Sequence, residues 1–137
     1  MLKTIKFWRD NREACTNVVQ CVVKHSPDGF EWGYGGSGPA DLAYNILYAL
    51  TTERIANELY QTFKREVISG IPYWGCELEV SKVLLWVGSK IEELNSNDLM
   101  REYSKVIEAY KSNGLTEELV REVKLYKIPR KQTVEIH

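Results

Sequence analysis

The segment EWGYGGSGPADLA, residues 31–43, concentrates the residue types of this chain that can do chemistry. Glycines stand at 33, 35, 36 and 38, directly before a helical pattern. Glycine loses more backbone entropy on folding than any other residue. Such a run marks a need for positive φ or for close approach of the backbone. One chemistry it suits is anion binding. The N–H groups of Gly36, Ser37, Gly38 and Ala40 would converge at a helix start, where the dipole favours negative charge and Ser37 adds a hydroxyl. Asp41 opposes this by placing a carboxylate in the first turn. It suits instead a ribose hydroxyl, an amine or a metal-bridged phosphate. A second reading is structural: the glycines let strand and helix pack tightly. A third is a protein contact centred on the loop and its aromatics. The candidate ligand-binding set is Trp32, Tyr34, Gly35, Gly36, Ser37, Gly38 and Asp41, with His25 brought near by a short turn.

Named phosphate motifs fail here. A Walker loop needs GxxxxGK[ST], and Pro39-Ala40 follow Gly38. A GxGxxG spacing begins at Gly33, but the upstream strands read as antiparallel and no parallel strand follows the helix, so a Rossmann unit is not expected. Ser37 lies in GGSGP rather than GxSxG. The only histidines are His25 and His137, and no HExxH, CxxC or paired-histidine spacing exists, which argues against zinc. A Cys–His pair of Cys15 or Cys21 with His25 is the one nucleophile to test; Cys21 reads otherwise as a small buried hydrophobe. Arg9-Asp10 and Arg12-Glu13 read as a solvated loop between strands. Lys64 and Arg65 could reach a phosphate or merely solvate their helix. No catalytic residue, metal or cofactor is assigned, and an enzyme is the lesser expectation.

The whole chain sets further limits. Its 137 residues suit one domain with a core that needs neither metal nor disulfide. A formal net charge of −1 gives nucleic acid no global attraction. Only the stretch with Arg121, Lys124, Lys127, Arg130 and Lys131 is mildly basic. Three cysteines, Cys15, Cys21 and Cys76, form no CxxC pair, and no secretory signal or membrane-spanning run is present. A cytoplasmic protein is expected.

These residues must be positioned by recognisable elements. KTIKFW (3–8), TNVVQCVVK (16–24) and FEWGY (30–34) read as strands, with HSPDG a turn. Period two would put Phe30, Trp32 and Tyr34 on one face. Pro39, Leu42, Ala43, Ile46, Leu47 and Leu50 form a helical stripe, with Gly38 as N-cap, Pro39 first and Asp41 third. A second helix runs from about 52 to 68 and ends at Gly70 as a left-handed cap. YWGCELEV (73–80) is a loop or a short strand. A third helix follows Ser81 over 82–94, with an apolar surface wide enough to lie deep or at an interface. A fourth spans 98–112, stopped by Asn113-Gly114. A fifth spans 117–126, with Thr116 as cap and Leu115 and Val120 as its hydrophobic staple. The fold class is α+β: a small three-stranded antiparallel sheet packed by four or five helices. The expected organisation is a core over 1–95, a helical extension over 96–128 packed on the same domain, and a tail over 129–137. Trp8, Trp32, Tyr34, Tyr73 and Trp74 either cap the sheet or form a binding surface.

The run GFEWGYGGSGPADLAYNIL (29–47), with YQTFKREVI (60–68) and SKVLLWVGSKI (81–91), resembles the uncharacterised family DUF6166 of bacteria, phages and plasmids, over roughly residues 1–91. The resemblance makes Trp32, Gly33, Tyr34, Gly36, Ser37, Gly38, Pro39, Leu42 and Ala43 signature positions. Asp41 departs from the glutamine often found there. No activity is implied, only a mobile-element setting. The leading expectation is a non-catalytic binding protein acting on a protein partner, or pairing as a homodimer. The alternative binds a nucleotide or another anionic small molecule at residues 33–38. Nucleic acid and membrane are not expected partners.

Overall fold

The computed structural model describes residues 2–26 and 29–113. Strand β1 (Thr4–Asp10) turns into β2 (Glu13–Thr16); helices α1 (Ser37–Leu50) and α2 (Glu53–Glu66) follow; then a 3-10 turn at Ile68–Gly70, strand β3 (Cys76–Glu79), and helices α3 (Val80–Leu94) and α4 (Asn97–Ser112). The sheet is antiparallel with β1 central, in the order β2-β1-β3. The α+β class and the three-stranded antiparallel sheet agree with the sequence reading.

The strands themselves differ from it in two places. Residues 16–24 do not continue as a strand: β2 stops at Thr16. The β-branched stretch beyond it gives its N–H groups to side chains of α1 instead of to a neighbouring strand. FEWGY is not a strand either. Gly33 takes φ +89° and donates to the Ile68 carbonyl, which breaks the alternation: Trp32 is buried and Tyr34 is exposed. The third strand is Cys76–Glu79, inside the segment whose sequence left loop and strand open. Arg9 and Asp10 belong to β1 and Glu13 to β2, not to a solvated loop. The hairpin turn is only Asn11-Arg12, both at positive φ, as the twist of two antiparallel strands requires of a two-residue turn.

One face of the sheet supplies Ile5, Phe7 and Leu78 to the core. Against it lies α1, whose predicted stripe is buried and whose Asp41, Tyr44 and Asn45 are buried as well. A helix buried nearly all round is the centre of the fold. Its first residue is Ser37 with Gly36 as cap, two residues earlier than expected, because the Ala40 N–H reaches the Gly36 carbonyl. Pro39 is still within the first turn, where its missing N–H is harmless.

Helix α2 packs Ile55, Leu59 and Phe63 inward and is capped by Thr52, whose hydroxyl accepts from the Ile55 N–H at 3.2 Å. It ends at Glu66, and Gly70 serves the 3-10 turn rather than a left-handed cap. Glu66 joins α2 to α3: its carboxylate accepts from Lys90 Nζ at 2.9 Å and from Trp86 Nε1 at 3.2 Å. Helix α3 begins at Val80, since β3 runs directly into it, and ends in a left-handed Asn95. Residues Val83 to Ser89 are all buried, so α3 lies deep. Helix α4, capped by Ser96, buries Leu99, Tyr103 and Ile107. The Tyr110 hydroxyl donates to the Leu50 carbonyl at 2.7 Å. The expected fifth helix, its staple, the tail and His137 lie outside the described residues. No helix among the described residues is long and apolar enough to cross a membrane.

The α3–α4 crossing turns on Gly88. A Cβ there would stand 2.6 Å from the Tyr103 hydroxyl oxygen, which itself donates to the Leu84 carbonyl at 2.8 Å. Gly88→Ala should destabilise the fold by about 1–3 kcal/mol through overpacking. Tyr103→Phe alone should lose about 1 kcal/mol. Urea denaturation of both single variants and the double should show partial non-additivity, since loss of the hydroxyl removes the nearest contact while the ring carbon Cζ still stands 2.8 Å from that Cβ. Additive losses would show that the two residues do not meet.

Candidate functional site

Arg9 is the residue from which the candidate site is built. On β1 it shares the inner face with Ile5 and Phe7, at the rim where the apolar core ends. Its guanidinium donates to both oxygens of Glu31, Nη1 to Oε2 at 3.0 Å and Nη2 to Oε1 at 2.8 Å. Nε donates to the Tyr73 carbonyl at 2.7 Å, and Nη1 to the Arg12 carbonyl at 3.3 Å. The guanidinium carbon also lies between two rings, 4.4 Å from the Trp32 centroid and 4.2 Å from that of Tyr73. A planar, forked cation is the one side chain that can fill both roles at once. The hydrogen bonds with Arg9 hold the Glu31 carboxyl below the usual range, and the same contact raises Arg9. Trp32 completes the junction, donating Nε1 to the Pro72 and Tyr73 carbonyls at 3.0 and 3.1 Å. Three distant segments, residues 9, 31–32 and 72–73, are thereby pinned together.

The glycine loop hangs from this junction. Gly33 needs its positive φ to place its N–H on Ile68. Gly38 lies so close to Glu31 that a Cβ on it would stand 2.9 Å from the Glu31 Cβ. Gly35 and Ser37 are exposed, and Gly36 is the helix cap. The structural reading thus accounts for Gly33 and Gly38. The N–H groups of Gly35, Gly36, Ser37 and Gly38 donate to no acceptor among the described residues.

Asp41 and His25 belong elsewhere. Asp41 is fully buried one turn further along α1, and its oxygens accept from the N–H groups of Lys24 at 3.1 Å, His25 at 2.9 Å and Ser26 at 2.9 Å. Asn45, one turn on, accepts from Cys21 and Val22 and donates to the Val22 carbonyl. The two side chains hold the 21–26 segment as a strand would. The His25 ring stacks on Tyr60, with Nε2 at 2.9 Å from its hydroxyl. It pairs with neither Cys15 nor Cys21; the Cys15 thiol faces the Glu13 carbonyl at 3.6 Å. Among the described residues no three His, Cys, Asp or Glu side chains could hold a metal ion.

Of the candidate set, the structure brings Trp32, Tyr34 and Gly35–Gly38 together. Trp32 is a core anchor, 2% exposed. Tyr34, Tyr73 and Trp74 are 53%, 55% and 74% exposed, on the two loops that Arg9 pins. Sequence reasoning missed Arg9 and Glu31. The available signal was the alternation Ile5, Phe7, Arg9, which puts an arginine on the apolar face of its strand.

The chain belongs to DUF6166, a family of unknown function, whose match spans residues 3–89. That span contains the Arg9 junction, both loops and the helices that carry them, and ends before α4. No curated protein and no solved structure matches the chain.

Two measurements test the site's electrostatics. Glu31 has a lowered folded-state pKa, so its contribution is complete above the ordinary carboxylate range and is lost as pH falls through the folded value. Wild type should exceed Glu31→Gln by about 1 kcal/mol in urea denaturation at neutral pH, the partly exposed carboxylate being screened by water, with the gap closing in acid. Arg9→Lys should lose a similar amount despite keeping its charge, because the fork is gone. In the second, burial and the nearby Glu77 push the Cys76 thiol up to about 11. Mass-resolved alkylation at neutral pH should modify exposed Cys21 well before Cys76. Equal rates would contradict that environment.

Proposed function

We propose that this protein is a non-catalytic binding module of the bacterial or phage and plasmid cytoplasm, engaging a protein partner through Tyr34, Tyr73 and Trp74. The observation that carries this reading is the combination of exposure and fixation at these rings. Large aromatics held in water are unfavourable for the isolated chain, and exposed aromatics on ordered loops of a small protein are characteristic of an interface. Their backbones are already ordered by the Arg9 junction. Binding therefore has less loop entropy to overcome, and rings with two side-chain torsions contribute large contact area. The described residues include no group of His, Cys, Asp and Glu that could hold a metal ion, which is in keeping with a role without catalysis.

A second reading rests on a separate observation, the four N–H groups of Gly35 to Gly38 that lack an acceptor among the described residues at the start of α1. An anionic group of a nucleotide or of another small molecule would suit them.

The two readings part in experiment. Immobilised wild-type chain should retain a partner in stoichiometric amount, and Tyr34→Ala/Trp74→Ala should weaken it by about 2 kcal/mol or more with an unchanged circular dichroism spectrum. Undiminished retention by that variant would remove the loops from the interface. In the same preparation, saturable amide shifts at Gly35–Gly38 on adding inorganic phosphate or a nucleotide would favour the second reading.

A further inference from the structure

The face of the sheet turned away from the core is mostly exposed among the described residues. Strand alternation sends Thr4, Lys6, Trp8 and Asp10 outward from β1. Residues directly opposite across a ladder share a face. The register therefore adds Cys15 and Glu13 from β2, opposite Trp8 and Asp10, and Glu79 and Glu77 from β3, opposite Thr4 and Lys6. Trp8 stands in the middle of this face and is 45% exposed. On its β3 side the chain passes as Gly75, whose backbone lies so close to Phe7 and Trp8 that a Cβ would stand 2.0 Å from the Phe7 carbonyl oxygen. Gly75 itself puts no side chain over the indole.

Carboxylates outnumber cations around Trp8. Asp10, Glu13, Glu77 and Glu79 are exposed, and none forms an ion pair among the described residues. Glu79 has only a 3.5 Å contact from the Ser81 hydroxyl. Lys6 lies on the same face, directly opposite Glu77 in the ladder, and Arg12 is exposed at the hairpin turn. Asp10 and Glu13 are directly opposite, a like-charge pair that weakens the hairpin it closes. Folding alone gives no reason for that arrangement.

We propose that this outer face docks a lysine- and arginine-rich segment of a protein partner. The inference rests on the reading of the chain as a protein-binding module and names the chemistry of what it binds. A basic side chain lays its charge over the Trp8 ring while the flanking carboxylates take its neighbours. Nucleic acid and anionic membrane are repelled by the same charges. A second copy meeting face to face through a two-fold axis would set carboxylates against carboxylates.

The test uses the full chain and fluorescein-labelled nona-arginine, with nona-glutamate as control, read by anisotropy. Nona-arginine should bind, more weakly as salt rises, and nona-glutamate should not. Trp8→Ala should weaken binding about tenfold. Glu77→Gln/Glu79→Gln should weaken it severalfold and flatten the salt dependence. Glu58→Gln/Glu108→Gln, which removes the same charge from exposed helix positions, should change nothing. Thermal melts establish that each variant folds. Absent binding, binding indifferent to Trp8 and to the β3 glutamates, or equal loss in the helix control overturns the proposal. So does a dimer, seen by light scattering, that Trp8→Ala dissociates. The Tyr34→Ala/Trp74→Ala variant runs in parallel. A captured partner that this variant loses, while Trp8→Ala and the β3 double variant keep it, leaves the loop reading intact and ends this one.

Discussion

The guanidinium of Arg9 is the contact on which the candidate site depends. A strand, a pre-helix loop and a pre-strand loop meet at its nitrogens and ring faces. Taking an arginine to the rim of a core is costly unless its donors are satisfied and its charge is matched. Here Glu31 matches the charge, backbone carbonyls take further donors, and Trp32 and Tyr73 cover the flat faces. Each partner in turn depends on the cation. Glu31 sits against Gly38 at the start of α1, so the position of the first helical turn is tied to the arginine through one carboxylate.

A second constraint comes from α1. A helix buried on nearly every side has to dispose of any polar group it carries, and Asp41 and Asn45 do so by binding backbone. The amides they bind belong to a stretch with every local preference for a β-strand. The choice between strand and side-chain anchorage was decided by residues some twenty positions away. Among the described residues, no buried side-chain polar atom is left without a partner.

What could be read from the sequence follows from how local each cause is. Helical periodicity is local, and α1 to α4 lie where their stripes put them, within a few residues at the ends. The stop at Asn113 is local too, whereas the caps expected at Gly38 and Gly70 are displaced by tertiary contacts. The sheet was legible in number and direction but not in membership. Whether FEWGY or CELE pairs with β1 depends on where the Ile68 carbonyl and the Arg9 side chain lie, and neither is visible in either segment alone. The candidate site was half legible. Glycine density marked the loop, and the aromatics were noticed. The arginine that orders them was read as solvent-facing because its neighbours Asp10, Arg12 and Glu13 are charged. Asp41 was assigned to the loop by its position in sequence, whereas the helix turns its side chain toward residues 24–26.

β1 makes these two surfaces one system. Alternation along a single strand puts Arg9 inward, where it orders the loops bearing Tyr34, Tyr73 and Trp74, and Trp8 outward, at the centre of the acidic face. The next residue inward, Phe7, is packed edge-on to Trp32 at 5.5 Å. A one-residue slip of this strand would exchange the faces, sending the arginine into water and the indole into the core. The bulk of Phe7 and the fork of Arg9, two residues apart, oppose that slip together. The register that makes the fold's inner face is therefore the same register that makes its outer one. A partner touching both the loops and the sheet would meet surfaces fixed relative to each other by three consecutive residues, Phe7, Trp8 and Arg9.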